Sequence, residues 1–367
     1  MGFPRAELKG SFGEIAMRIG FGWAALAVVT AAAPLGCQQP TVPSGFEISV
    51  FADGLRGVRT LRMGPDGMLY AVRSQAGTIV RVDPSTAESS VVVRDLERPY
   101  GIAFHDGWMY VGEASRVVRM RAPSYADPQV VVSDIPTSGH WTREIAFGPD
   151  GMLYLSVGSS CNLCEETDPR RAAVTRFRPD GTGEQIWSEG LRNTAGLAFH
   201  PETGVLWASQ NERDMLGDEI PPEEINILEQ GAHFGWPYCY GQGIPNPEYR
   251  DRAATCADMV SPAVEIQAHS APLGMVFYTA DQFPEEYRGD LFVALHGSWN
   301  RTERTGYKLI RVRLDGSRVL GHEDFATGWL SNGRVSGRPV YPEVGPDGSL
   351  FLSDDDGGRI YRIRWVG

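Results

Sequence analysis

A strand–turn–strand unit recurs along this 367-residue chain, a second alternating unit follows most copies, and no long amphipathic helix interrupts them. Together these predict an all-β fold, a six-bladed β-propeller. The copies open at Leu61 (LRMGPDGMLYAV), Ile102 (IAFHDGWMYVGE), Ile145 (IAFGPDGMLYLSVG), Leu197 (LAFHPETGVLWASQ), Tyr287 (YRGDLFVALHGS) and Pro342 (PEVGPDGSLFLSDD). Each alternates apolar and polar residues as a strand does, around a turn in which Pro fixes φ and Gly supplies positive φ. The second units are GTIVRVDP at 77–84, SRVVRMRAP at 115–123, AAVTRFRPDG at 172–181, GYKLIRVRLDG at 306–316 and GRIYRIRW at 358–365. Two hairpins per repeat make a four-stranded blade. The longer gap between Trp207 and Tyr287 is assigned to loops and an insertion in the fifth blade. A propeller carries its function on the loops of one face, around the central channel.

Three segments follow from this: an export segment at 1–37, a linker at 38–45 and the propeller at 46–367. The uncharged run at 19–36 follows Arg18 and ends in small residues before Cys37, as a secretory signal does. Its length also suits a lone membrane anchor. PLGC resembles a bacterial lipoprotein cleavage box, in which Cys37 would be lipidated, although Pro34 is atypical there. An exported, periplasmic chain is expected, with Cys37 as a candidate lipid anchor to the membrane. Export permits disulfides, and Cys161–Cys164 and Cys239–Cys256 are the expected pairs. The rival for CNLC is half a zinc site or a redox pair.

The net charge of −12 argues against nucleic acid as a partner, because phosphate neutralisation needs a basic face. Local positive charge is nevertheless concentrated before the repeats: Arg192 and Asn193 in LRNTAG, Asn300 and Arg301 in SWNR, Arg334 and Arg338 in NGRVSGRPV. Such a channel suits a small polyanion, since guanidinium forks match carboxylates and phosphates. Of the seven histidines, His105 and His200 hold a turn position, His322 falls in a polar loop and His233 in a packed one. His140, His269 and His296 sit in loops too specific to be turns. They could bind zinc, supply a neutral general base, or line the channel bonded to backbone. The acids of QNERDMLGDEIPPEEINIL suit calcium in type but lack EF-hand spacing. DDDGG at 354–358 reads as a strand-to-strand turn. No P-loop, Rossmann fingerprint, nucleophile elbow or His-Glu-x-x-His occurs.

The motifs GH-x-x-R-x-x-AFGPDG, GLRN-x-x-GLAFHP, EEINIL-x-x-G-x-x-FGWPYCYG, QAHSAPLG, FVALHGSWNR and GRPV-x-x-x-VGPDG together resemble the soluble quinoprotein glucose/sorbosone dehydrogenases, in particular the sorbosone-dehydrogenase-like branch, over residues 46–365. The resemblance implies a six-bladed propeller binding pyrroloquinoline quinone (PQQ) and Ca²⁺, and oxidation of an aldose or sugar-derived aldehyde at C1. It implies His140 as catalytic base and Arg192 beside the quinone oxygens. Asn193, His269, Asn300, Arg301 and Arg338 are implied as cofactor contacts. The backbone carbonyls of Glu212 and Arg213 are implied as calcium ligands. Ser159 and Gly139 stand where the glucose branch has aspartates around the base. With no C-x-x-C-H haem motif, electrons would pass to a quinone or cytochrome partner. Two other classes fit the architecture: a non-catalytic propeller that binds carbohydrate or protein, and a metal-dependent lactonase with inward carboxylates.

Overall fold

The structure is a computed structural model that describes residues 39–367. The proposed export segment and Cys37 lie outside the described residues. Among those residues, six antiparallel blades follow in chain order. Their innermost strands are Val58–Met63, Ile102–His105, Ile145–Phe147, Thr194–Phe199, Pro272–Phe277 and Pro339–Val344. These strands touch in a closed ring, the last against the first. The predicted six-bladed propeller is borne out.

The repeat motif has a local cause. In GPDG the aspartate caps its own turn: Met68 N–H donates to Asp66 Oδ1 (3.2 Å), Met152 N–H to Asp150 Oδ1 (3.1 Å) and Ser349 N–H to Asp347 Oδ1 (3.2 Å). This is the Asx turn that favours Asp at such positions. The glycine that follows has φ of +74°, +71° or +79° at Gly67, Gly151 and Gly348. In two copies the tyrosine of MLY donates back to the same carboxylate, from Tyr70 and Tyr154 at 3.0 Å each.

Ring closure depends on a pairing distant in sequence. Phe46–Ala52 pairs antiparallel with Arg359–Trp365 and supplies the outer strand of the sixth blade. Phe46 meets Phe283, Phe325, Trp365 and Tyr287 edge-on, with ring centroids 4.7–5.1 Å apart. The preceding stretch, read as linker, is bonded in as well. Thr41 and Thr327 exchange backbone hydrogen bonds of 2.7 and 2.9 Å. Its Pro-rich, polar composition gives no sign of that distant partner.

Three local readings change. The copy opening at Tyr287 begins with a 3₁₀ turn, Glu285–Tyr287, before the second strand of its blade, Leu291–Leu295; the first strand is Pro272–Phe277. The insertion lies in the fourth blade, between Glu223–Leu228 and Val264–Ile266, and holds the Cys239–Cys256 bridge. His322 stands exposed on the strand Arg318–Ala326. Both disulfides form as paired above, which leaves CNLC without the thiolates that a zinc site needs. No helix of the described residues is long and apolar enough to cross a membrane.

Candidate active site

Antiparallel pairing puts the start of each innermost strand beside the end of the next strand: Thr194 opposite Gln210, Pro272 opposite Leu295, Pro339 opposite Asp354. Loops entering the first and leaving the second therefore share one end of the propeller. There they enclose a cavity of about 340 Å³, lined by His140, Arg192, Asn193, Glu212, His269, Asn300 and Arg338 of the predicted set, with His296, Asp214, Glu223 and Trp299. At the other mouth lies a cavity of about 370 Å³ whose lining includes Phe104, Phe147, Phe199 and Met275 around Arg62. Arg62 is itself bonded to Tyr341 Oη at 2.7 Å.

His140 is held from behind. Its Nδ1 lies 2.9 Å from the carbonyl oxygen of Ser159 and 3.1 Å from Ser159 Oγ. A carbonyl only accepts, so Nδ1 carries the proton and Nε2 keeps a lone pair. Burial first, then the charge of Arg192, lower the imidazole from its ordinary 6.5 to about 4, against the opposing Ser159 bond. His140 is therefore a neutral base at pH 7. Ser159 does stand beside the base, and its main chain does most of the orienting. Gly139 has φ +71°, and a Cβ there would come 2.5 Å from the Ser159 oxygen, which explains glycine at that position. Arg143 is fully buried and braces the same loop, donating to the carbonyls of His140 (2.8 Å), Thr142 (2.8 Å) and Pro136 (2.6 Å). Trp141 is a wall residue, edge-on to Tyr100 and under Arg98.

Arg192 is 4% exposed and spends all five N–H donors on the protein. Nε reaches Asn162 O (3.1 Å), Nη1 the carbonyls of Asn211 (3.2 Å) and Glu212 (2.6 Å), and Nη2 Asn162 Oδ1 (2.9 Å) and Asp214 Oδ2 (3.3 Å). It thus presents a fixed charge. Arg338 differs. Its Nε and Nη2 hold the carbonyls of His296 (3.2 Å) and Gly297 (2.8 Å), while Nη1 makes no hydrogen bond among the described residues. Asn300 donates to Asp214 Oδ1 (2.7 Å) and leaves its own buried Oδ1 without a partner. Glu212 and Glu223 are raised by burial, Glu223 to about 8. Glu223 therefore favours the protonated form at pH 7, beside the charges of Arg192 and Arg338.

The three histidines line one cavity but form no zinc triad. His269 Nε2 faces Gly217 O (2.7 Å) and His296 Nε2 faces Asp355 Oδ1 (2.9 Å). Among the described residues, Cys161, Cys164 and Glu166 are the group with three metal-ligating atoms within 4.8 Å, and those cysteines are bridged. Asp354 in DDDGG is the turn residue expected, accepting from Arg338 N and Gly357 N at 2.8 Å each. One predicted side chain, that of Arg301, does not line the cavity, and the side chain of Arg213, whose carbonyl was the predicted ligand, does not line it either. Arg301 is committed to Asp218 O and the Glu219 carboxylate. Arg213 turns away to Glu248 (2.6 Å) and Asn246 (3.2 Å). Acids nearby in space but distant in sequence attract both. Sequence reasoning missed Asp214, Glu223, Trp299 and Asn162; the first two sit in the acidic segment already singled out, and Trp299 in SWNR.

A family model described as TrAA12-like matches residues 40–366. The chain belongs to the TrAA12-like family. The resemblance drawn from the motifs is thereby borne out. Among relatives, the aldose sugar dehydrogenase YliI of Escherichia coli is 25% identical over 253 residues, a match spanning 62% of this chain and 61% of that enzyme. The holo pyranose dehydrogenase PQQ domain of Coprinopsis cinerea superposes with a TM-score of 0.75 at 22% identity, covering 91% of this chain and 99% of that one. The PQQ-bound aldose sugar dehydrogenase of Streptomyces coelicolor superposes at 0.65 and 25% identity, covering 88% and 99%.

Proposed function

We propose that this chain is a PQQ-dependent, calcium-assisted dehydrogenase that oxidises an aldose or sugar-derived aldehyde at C1. The observation that carries the reading is one cavity lined by a neutral histidine with an open Nε2 together with the buried Arg192 and the half-buried Arg338, in a chain of net charge −12. The names of the relatives point the same way. The residues fit the cofactor. The unused Nη1 of Arg338 suits a carboxylate, the orphaned Oδ1 of Asn300 awaits a donor or a metal, and the volume is that of a small-molecule site. Asn193 and His269 complete the contacts, and Arg301 braces the loop that carries Asn300. Oxygen donors suit calcium, with the carbonyl of Arg213 and that of Glu212, which also accepts from Arg192 Nη1 (2.6 Å), as its proposed protein ligands. When bound, PQQ supplies the hydride acceptor and calcium a Lewis acid. With the cofactor bound as hydride acceptor, His140 Nε2 would take the proton of the C1 hydroxyl, and an aldose, having given its C1 hydride to that acceptor, would leave as its lactone. Arg192 stabilises the negative charge that develops. Trp299, 74% exposed at the rim, offers an apolar face to the sugar ring.

A metal-dependent lactonase is less well supported. Asp214, Glu212 and Glu223 line the cavity, but each already accepts from Asn300, Gln210 or the backbone N–H of Glu212. Two disulfides suit an oxidising compartment, in keeping with export through residues 1–37, lipidation of Cys37 and a periplasmic quinone or cytochrome acceptor. The test is turnover of an aldose panel with an artificial acceptor, with and without PQQ and Ca²⁺. Activity requiring both, lost in His140→Ala while PQQ still binds, is expected. No turnover and no change in PQQ absorbance would overturn the reading in favour of a binding propeller.

A further inference from the structure

The CNLC loop lies outside the set of residues that the motifs mark, yet it touches both halves of the site. Asn162 receives one whole edge of the Arg192 guanidinium: Nε–H on its carbonyl oxygen (3.1 Å) and Nη2–H on Oδ1 (2.9 Å). The same Oδ1 accepts from Asp214 N–H (2.8 Å), and Nδ2 donates to Asp214 O (3.0 Å). One residue earlier, the carbonyl of Cys161 accepts from Ser159 Oγ (2.7 Å), whose residue orients His140. The loop is closed by the Cys161–Cys164 bridge, and Ser160 N–H and Oγ are tied to Glu166 at 2.6 and 2.9 Å.

We propose that Asn162, presented by this bridged loop, is a positioning residue that fixes Arg192 and the Asp214 loop against the His140 support. A buried guanidinium keeps one orientation only while its donors are matched. Asn162 supplies two of the five acceptors, and its side chain ties the segment that supplies the other three. The bridge ties the ends of a four-residue turn that belongs to no strand and would otherwise fray.

The positional claim stands apart from the quinoprotein reading; only its catalytic consequence rests on it. The test therefore starts without cofactor. Apo wild type, Asn162→Leu, Asn162→Asp and Cys161→Ser/Cys164→Ser are treated with phenylglyoxal, and arginine modification is mapped by peptide mass. Exposed Arg178 serves as the rate reference and fully buried Arg143 as the indicator of folding. Arg192 is expected to react about tenfold faster in Asn162→Leu and in the cysteine double variant. In Asn162→Asp, which keeps the acceptors, it should stay within about twofold of wild type. Unchanged Arg192 reactivity in Asn162→Leu overturns the proposal, and so does equal loss of protection at Arg143, which would mean general loosening. In loaded enzyme the expected signature is a lower kcat at nearly constant KM, with an acid limb displaced upward as Arg192 moves from His140. Absence of any dehydrogenase activity in wild type would refute the proposed function and leave the modification result to decide this one.

Discussion

Lowering the pH should charge His140 far later than an ordinary histidine. Its imidazole is at about 4 in the fold, from burial and then Arg192, against 6.5 when free. At pH 5 roughly nine-tenths of it stays neutral, where an ordinary imidazole would be roughly 3% neutral. Between the two values the unfolded chain holds a proton that the folded chain does not. The stability from this group is therefore complete above about 6.5 and is lost as pH falls through about 4; the full difference is about 3 kcal/mol. Glu223 and Glu144 act in the opposite sense. Burial raises both to about 8 from 4.5, so their contribution is complete below 4.5 and lost as pH rises through 8. The raw stability profile mixes these slopes, and the comparison must be with His140→Asn. The assay is an NMR titration of histidine Cε1–H signals in apo protein from pH 7.5 to 4, assigned with that variant, alongside urea midpoints for both proteins. The His140 signal should stay put until below pH 5, and wild type should lose about 3 kcal/mol more than the variant between pH 6.5 and 4. A midpoint near 6.5 would refute the reasoning, because neither burial nor Arg192 would then be acting on the ring.

Two further outcomes are expected. Arg338→Met removes a charge-assisted contact and should weaken PQQ binding about 10- to 100-fold; absorbance titration giving the wild-type affinity would exclude Arg338 from the cofactor site. Phe46→Ala empties an aromatic cluster at the closing strand and should cost about 3–5 kcal/mol, read from urea unfolding. A loss below about 1 kcal/mol would mean that closure does not depend on this packing.

The fold was legible because its signals are local. Asp66, Asp150 and Asp347 bond within their own turns, Gly67, Gly151 and Gly348 take the positive φ those turns need, and strand alternation follows. Hence the repeat, the blade count and the loops that matter could be read from residues within a dozen positions of one another. The convergence of His140, Arg192, His269 and Arg338 was legible for the same reason: each sits at an equivalent place before an innermost strand, and a closed ring brings equivalent places together.

What the tertiary structure alone decided involves partners far apart in sequence. Phe46–Ala52 completes the last blade because Arg359–Trp365 leaves an open edge, and nothing in FEISVFA announces that partner. The Arg301 side chain is held outside the cavity by Glu219, and the Arg213 side chain is drawn to Glu248 while its carbonyl stays beside Glu212 in the chain. His140 became a neutral base through burial and the field of Arg192, two effects of packing. Asn162 gained its place through bonds to residues 30 and 52 positions away. Composition and spacing specify what a residue can do over one turn or one hairpin. Which charge is buried, and which donor finds which acceptor, depends on distances that exist only once the ring has closed.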